Sequence, residues 1–334
     1  MKKPIIIRGD VRDPRNVLID LPHGLGDQIM CFPLFASLKA HNPEMRITAL
    51  SPNKASQFLL RHNRHVDQTF PLPADFTAKG LLRHLAKAVP ALRAKCRKDN
   101  FDLYINVHPN IIRSANMTFC GVKNRIENTR NFHKTAECIS ILSAMGIPPV
   151  IDYAMNSVLD PAVLRKYGLK EKEYVVLDYY PQHFSRDPRR WDYFDDLADL
   201  LRKKGIATAA AGINPDHEGC RADVDLVNRT SFDELLAIIE GAKAVVCMDT
   251  GFFHMSYAFK TPVLGIFGPV DPAERMPHDS SLPVDIIYRK ESCSPCIKNR
   301  VDIPCARKNE PYRCMRAIRP EDVLGKLESL LGGK

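Results

Sequence analysis

Long apolar runs are missing from this sequence of 334 residues. The longest, such as "YVVLDYY" and "AVVCM", are strand-sized and fall well short of the ~20 residues that a membrane-spanning helix needs. The N-terminal "MKKPIIIRGD" has a basic start, but its apolar core is too short for a secretory signal, so the expected location is the cytoplasm. Zinc-finger, homeodomain and RNP signatures are absent as well, which weakens a nucleic-acid partner. So are internal repeats and low-complexity tracts.

Two further absences concern the stretch "NVLIDLPHGLGDQIMCFP". A dinucleotide-binding turn needs a third glycine for close helix–strand packing, and an acid about 20 residues on for the ribose. Ile29 stands where the third glycine would be, and the second strand ends at "ALSPN" with no acid. NAD is therefore a poor fit. The turn is either a plain strand-to-helix connection, with Asp27 as a helix cap or first-turn acid, or one built to present Asp27.

What is present describes an ordinary globular protein, with 45% hydrophobic and 26% charged residues. The length predicts two domains. In the first half, strand-like runs ("NVLIDL", "RITAL", "VDQTFPL", "FDLYINV", and a short one at 123–126) alternate with helical patterns. The helices are expected over about 28–40, 54–60, 78–98, 111–119 and 134–145. A proline-bearing stretch, "GIPPVIDYAMNSVLDP", reads as a linker. The alternation then restarts with "YVVLDYY", "ATAAAG", "DLVN", "KAVVCM" and "PVLGIFG", and with helices near 193–204, 232–240 and 252–259. Such alternation predicts βαβ units and parallel sheets. The expected fold class is thus α/β, with two Rossmann-like domains, 1–150 and 151–334, facing a cleft.

Three places could carry chemistry. One is the Gly26-Asp27 turn. Another is "VVCMDTGFFHMSYAFKTPVLGIFGPVDP", where a buried strand ends at Asp249 and Thr250-Gly251 opens a helix with His254 one turn in. Parallel sheets bind ligands at the carboxyl ends of their strands, and helix N-termini bind phosphates. Gly268-Pro269 makes a second tight loop at the same edge. A capped helix with a core histidine is the plainer account of Asp249 or His254 taken singly. The last is "SRDPRRWDYF", where Arg186, Arg189 and Arg190 precede the only tryptophan. Arginines there can grip a diphosphate, or simply form a solvated basic loop.

Taken together, Gly26-Asp27, the basic pair before Trp191, the run Asp249-Thr250-Gly251-x-x-His254 and Phe267-Gly268-Pro269 resemble glycosyltransferase family 9, the bacterial heptosyltransferases. The likeness runs from about Asn16 to Leu331. It implies the GT-B fold, an inverting reaction without a catalytic metal, and a nucleotide-sugar donor, with ADP-heptose the first choice. By the same resemblance Asp27 matches the catalytic base, and Arg189 the cation near the leaving group, where the family usually has lysine. Asp249 matches the residue that reaches the donor sugar. Thr250, Gly251 and His254 match the diphosphate cradle, with Arg190 and Gly268 beside them. Arg113 and Gly26 are matched to the acceptor side, so the N-terminal domain would take the acceptor and the C-terminal one the donor. The acceptor would be a glycan, lipid-linked or protein hydroxyl. The pair Asp223-Val-Asp225 looks like the metal-binding DxD of another fold and is read as surface charge.

Ten cysteines in a cytoplasmic protein argue against disulfides. Cys31, Cys96, Cys120, Cys138, Cys220 and Cys247 are scattered and read as small buried hydrophobes. The other four, Cys293-x2-Cys296-x8-Cys305-x8-Cys314, suit a tetrahedral thiolate site. Two disulfides or four free thiols are the alternatives. Zinc is the default ion, and mononuclear iron also accepts four sulfurs. The surrounding cations would lower the thiol pKa values. Family 9 enzymes that modify autotransporter proteins carry an iron-binding finger that resembles this one. Residues 289–319 hold nine Lys/Arg against three Asp/Glu, most of the net excess of +9. That basic surface points to an anionic partner, and peripheral association with an inner membrane is one form it could take. A GT-B sugar-nucleotide 2-epimerase and a non-catalytic scaffold using the finger are the competing functions.

Overall fold

The computed structural model describes residues 5–72, 78–128, 133–179, 187–297, 305 and 307–332. The chain divides into two compact units, 1–156 and 157–334. Each is built on a six-stranded sheet.

In the first unit the strands are β1 (Ile6–Arg8), β2 (Asn16–Asp20), β3 (Arg46–Ser51), β4 (Gln68–Pro71), β5 (Leu103–Asn106) and β6 (Asn124–Glu127). Their spatial order is β1-β6-β5-β2-β3-β4. All neighbours are parallel except β1, which runs antiparallel to β6 at the edge. The central strands read as unbroken apolar runs because helices cover both faces, and Val17, Leu18 and Ile19 are fully buried.

The second unit repeats the plan with β7 (Tyr174–Asp178), β8 (Ala207–Ala211), β9 (Val224–Asp225), β10 (Ala244–Met248), β11 (Val263–Phe267) and β12 (Val284–Tyr288), in the order β12-β11-β10-β7-β8-β9. In both sheets the chain winds outward one way and then returns to the middle to wind the other way. The reversal falls between β2 and β5 in the first sheet and between β7 and β10 in the second. Loops leaving the carboxyl ends of those strands diverge, and the gap is where open α/β sheets bind ligands.

Two helices differ from the sequence expectation, and proline is the cause both times. The helix expected over 28–40 is two, Leu25–Ile29 and Phe32–His41, with Pro33 in the first turn of the second. Without an N–H, Pro33 cannot continue the ladder from Ile29, but it fits a first turn. The helix expected over 78–98 is Ala78–Arg83, a π turn at His84–Ala88, and Val89–Asp99 opening on Pro90. The sequence reading also missed several elements, of which three matter for the sheets and their cover. They are the short edge strand β1, strand β12, and helix Pro320–Gly332, whose Val323 and Leu327 pack with Leu197, Ala198 and Leu201 of helix Phe194–Lys203.

The core of the second unit leaves no spare room at β11. A Cβ on Gly265 would lie 2.5 Å from Phe267 Cε2 and 2.8 Å from Phe253 Cε2, two rings that meet edge to face. Gly265→Ala should therefore cost about 1–3 kcal/mol through overpacking. The check is a urea titration, in which the midpoint falls while the slope is unchanged.

Candidate active site

The second sheet builds its mouth from β7 and β10. Main-chain runs end at Asp178 and Met248, and the loop after β10 opens helix Gly251–Ala258. Thr250 caps that helix, its hydroxyl accepting from Phe252 N–H at 3.3 Å and donating to Asp178 Oδ2 at 2.7 Å. One side chain thus fixes the helix start to the neighbouring strand end, across the point where the winding reverses. Gly251 has no positive φ, and a Cβ there would make only an ordinary 3.5 Å contact with Met255. The fold itself does not require glycine at this position. His254 is buried, with its Nδ1 2.9 Å from the Tyr257 hydroxyl and its ring edge-on to Phe253. The core-histidine account therefore describes its side chain, while its place is still the first turn of the helix.

The two arginines before Trp191 part company. Arg189 turns inward and is 8% exposed. Its guanidinium grips Asp187 through Nε (3.1 Å) and Nη2 (2.8 Å), and donates from Nη1 to the main-chain oxygen of Asp249 at 2.9 Å. Arg190 is exposed and paired with Asp192. Arg186 lies outside the described residues. Asp249 is itself buried, and its carboxylate accepts from Arg275 Nε at 3.1 Å, with Arg189 Nη1 3.7 Å away. Asp178, Asp187 and Arg275 were missed in the sequence. Asp187 lies inside "SRDPRRWDYF", a stretch already singled out, whereas Arg275 lies three residues beyond the end of "GIFGPVDP".

In the first unit, Asp27 lies on the short helix Leu25–Ile29, which is capped by Gly24 and not by Asp27. Its side chain is half-buried and turns back over Gly24, whose Cβ would meet Asp27 Oδ2 at 3.0 Å. No partner for this carboxylate occurs among the described residues. Gly26 sits in the same turn and is half-buried. Arg113, on helix Ile111–Phe119, is buried and anchors the turn from below: its Nε donates to Leu21 O at 2.8 Å and Nη1 to His108 O at 3.1 Å. Asp20 lies 3.3 Å from Nε and also accepts from Tyr104 and Asn116. Arg113 Nη2 meets no acceptor among the described residues. The same strand edge carries His108, Lys134 and Glu137, with Lys134 Nζ 2.9 Å from Glu137 Oε1 and 3.1 Å from His108 Nδ1. The sequence offered no motif for that trio, because His108 follows β5 while Lys134 and Glu137 lie on helix Lys134–Met145, far along the chain.

Near the C-terminus, Gly268 has a steric role. A Cβ on it would come within 2.8 Å of Met315 Sδ and 2.9 Å of Cys314 Sγ. Pro269 O accepts from Cys296 N–H and Ile297 N–H, and Cys305 Sγ accepts from Tyr312 N–H at 3.2 Å. The four cysteines thus gather around the loop after β11, although no three of their sulfurs lie within 4.8 Å of one another. The thiols of Cys296 and Cys314 are not made acidic as expected. Burial, then repulsion from the neighbouring sulfurs, pushes Cys314 up to about 11 and raises Cys296. The nearby cations Arg307 and Arg313 are spent on Glu291 and Glu310. Of the scattered cysteines, Cys220 is the exception to burial. It is half-exposed beside His217 and Asp225, which are 2.9 Å apart. Asp223 and Asp225 are not idle surface charge: Asp223 holds the Thr208 N–H and hydroxyl, and Asp225 holds His217.

Comparison with known proteins converges on one family. The family model described as glycosyltransferase family 9 (heptosyltransferase) matches residues 163–306. Lipooligosaccharide heptosyltransferase 2 of Haemophilus influenzae is 23% identical, over 95% of this chain and 99% of that protein. A family 9 glycosyltransferase from Veillonella parvula superposes with a TM-score of 0.78 at 16% identity, covering 97% of this chain and 99% of that one. The iron-containing, dodecameric heptosyltransferase TibC of enterotoxigenic E. coli, solved with ADP-D-beta-D-heptose, superposes at 0.61 with 12% identity, covering 97% and 79%. The fold is GT-B.

Beside Arg113, His23 is held neutral. Burial, and then the Arg113 charge, lower its pKa from 6.5 to about 4. The unfolded chain therefore binds a proton that the folded turn refuses, and stability falls as pH drops from 6.5 to about 4. Denaturant unfolding of His23→Gln across that window should show a shallower loss than wild type.

Proposed function

We propose that this chain is a glycosyltransferase of family 9, an inverting enzyme that moves a heptosyl group from ADP-heptose to an acceptor hydroxyl without a catalytic metal. The observation that carries this reading is the strand-to-helix turn Asp249-Thr250-Gly251, pinned by Thr250 to Asp178 where the second sheet reverses its winding. The turn lies inside the stretch that matches the family model.

In this reading the second unit takes the donor. Main-chain N–H groups at the start of helix Gly251–Ala258 face the diphosphate, with His254 in the first turn and Gly268 and Arg190 flanking. Asp249 engages the donor sugar, oriented by Arg275 and by the main-chain bond from Arg189. The Arg189 charge is fixed in place by Asp187, and it stabilises the anion that leaves. The first unit takes the acceptor near Gly26, with Arg113 shaping the turn. Asp27, free of a partner among the described residues, accepts the proton of the acceptor hydroxyl as that oxygen attacks the anomeric carbon. The bond from that carbon to the phosphate oxygen breaks, and ADP departs with the electron pair.

The acceptor is a glycan, a lipid-linked glycan or a protein, and the reaction is placed in the cytoplasm, at or near the inner membrane. No helix among the described residues is long and apolar enough to cross a membrane. The four cysteines Cys293, Cys296, Cys305 and Cys314 suit one structural zinc or iron ion. Four sulfur donors and the Tyr312 N–H bond to Cys305 fit such an ion, and mutual repulsion among the thiolates is what a cation would relieve. Sulfurs around a tetrahedral zinc sit about 3.8 Å apart, so binding would draw the finger inward. Four protein ligands leave no open position, so the ion's part is to fold the finger.

Asp27→Asn should lower kcat by about 100- to 10,000-fold while ADP-heptose affinity by calorimetry stays within twofold or so. Asp249→Ala should instead abolish that affinity. Turnover of a UDP-sugar without any acceptor would replace this reading with the epimerase. For the finger, elemental analysis should find one zinc or iron per chain, lost together with thermal stability in Cys296→Ser/Cys314→Ser.

A further inference from the structure

The helical segment after β4 carries a run of cations together with exposed leucines. From Leu82 to Lys98 the sequence holds six Lys/Arg and no Asp or Glu. Lys95 is occupied by Asp99 and Gln68. The other five, Arg83, Lys87, Arg93, Arg97 and Lys98, are exposed and meet no carboxylate among the described residues. The inward face is ordinary core: Leu92 and Cys96 pack with Leu18, Tyr104, Met117 and Cys120. Outward, Leu82 is 70% exposed and Leu85 37%. Helix Ile111–Phe119 lies alongside, joined by the 2.7 Å contact between His84 Nε2 and Asn116 Oδ1. It adds Ile111 and Phe119, so these two helices carry four of the eight large exposed hydrophobics among the described residues.

Solvent would satisfy the cations and leave the leucines exposed. A nucleic-acid backbone would match the cations and likewise ignore Leu82. An anionic bilayer satisfies both, since phosphates pair with Lys and Arg while leucine enters the acyl boundary. We propose that residues 82–98 form a docking face for an anionic phospholipid surface, with Leu82 and Leu85 entering the boundary and the five unpaired cations lying on the head groups. The basic finger at 289–319 is not needed for this contact. Such docking would hold the first unit, with its Asp27 turn, at the plane where a lipid-linked acceptor is displayed. The contact itself requires neither donor nor acceptor, so failure of the sugar-transfer reading would leave it standing.

The test is co-sedimentation of the full chain with vesicles of phosphatidylcholine alone or mixed with phosphatidylglycerol. Binding is expected only to the mixed vesicles, and it should weaken as salt is raised. Arg83→Glu/Lys87→Glu should reduce partitioning by at least about 25-fold, at roughly fivefold per cation removed. Leu82→Ser should weaken binding at fixed salt. Thermal unfolding of each variant confirms that the exposed substitutions leave the fold intact. Equal binding to both vesicle types would overturn the proposal. So would unchanged binding by the Arg83/Lys87 variant, or loss of binding on Lys290→Glu/Lys308→Glu in the finger instead. Capture of single-stranded RNA with no vesicle binding would assign the cations to nucleic acid and end the lipid reading.

Discussion

A single buried guanidinium holds the mouth of the second sheet together. Arg189 sits between Asp187, which it grips with two nitrogens, and the main-chain oxygen of Asp249. A buried charge is tolerable only when paired and hydrogen-bonded, and removing one partner leaves the other stranded at a cost of about 3–5 kcal/mol. The loop before Trp191 and the end of β10 therefore cannot move independently. Trp191 extends the tie by donating from its indole nitrogen to Ile318 O at 2.9 Å, so the C-terminal segment is fastened to the same loop. Lysine at position 189 would supply the charge but not the planar fork that Asp187 requires. The arginine here is thus as much a piece of architecture as a source of positive potential.

The same economy appears in the first unit. Arg113 reaches under the β2 loop and holds Leu21 and His108 by their main-chain oxygens, while Asp20, Tyr104 and Asn116 complete the buried network. This network fixes the end of β2 that leads into the turn, while Asp27 has no partner of its own among the described residues. Such a fixed strand end beside an unengaged carboxylate suits the general base proposed above, whose geometry would be set before a substrate arrives. The half-buried imidazole of His23, kept neutral beside Arg113, adds no second charge to the turn.

The cysteine segment and the loop after β11 are also one construction. Gly268 can approach Cys314 and Met315 only because it has no side chain, and Pro269 accepts two main-chain bonds from the segment that begins with the first cysteines. Ordering the finger would thus order the loop after β11. An ion held there, as proposed, would act on the mouth of the second sheet without any part in the chemistry.

How much of this the sequence could disclose depends on distance along the chain. Alternating apolar runs and helical patterns determined the strand-and-helix order of both units, since a fully buried parallel strand has no polar position to spare. Asp249-Thr250-Gly251 and the Gly26-Asp27 turn were legible for the same reason: each is a short segment whose residues act together where they stand. Pro33 broke a helix that hydrophobic periodicity alone had drawn as continuous, and Pro90 follows a π turn inside another, an effect of a missing N–H that was readable but passed over. Tertiary structure decided the rest. Only folding sets Asp178 under Thr250, turns Arg189 inward and Arg190 outward, brings Arg275 to Asp249 and seats Cys314 against Gly268. Those partners are far apart in sequence and meet through packing, and a one-dimensional pattern carries no distance between them.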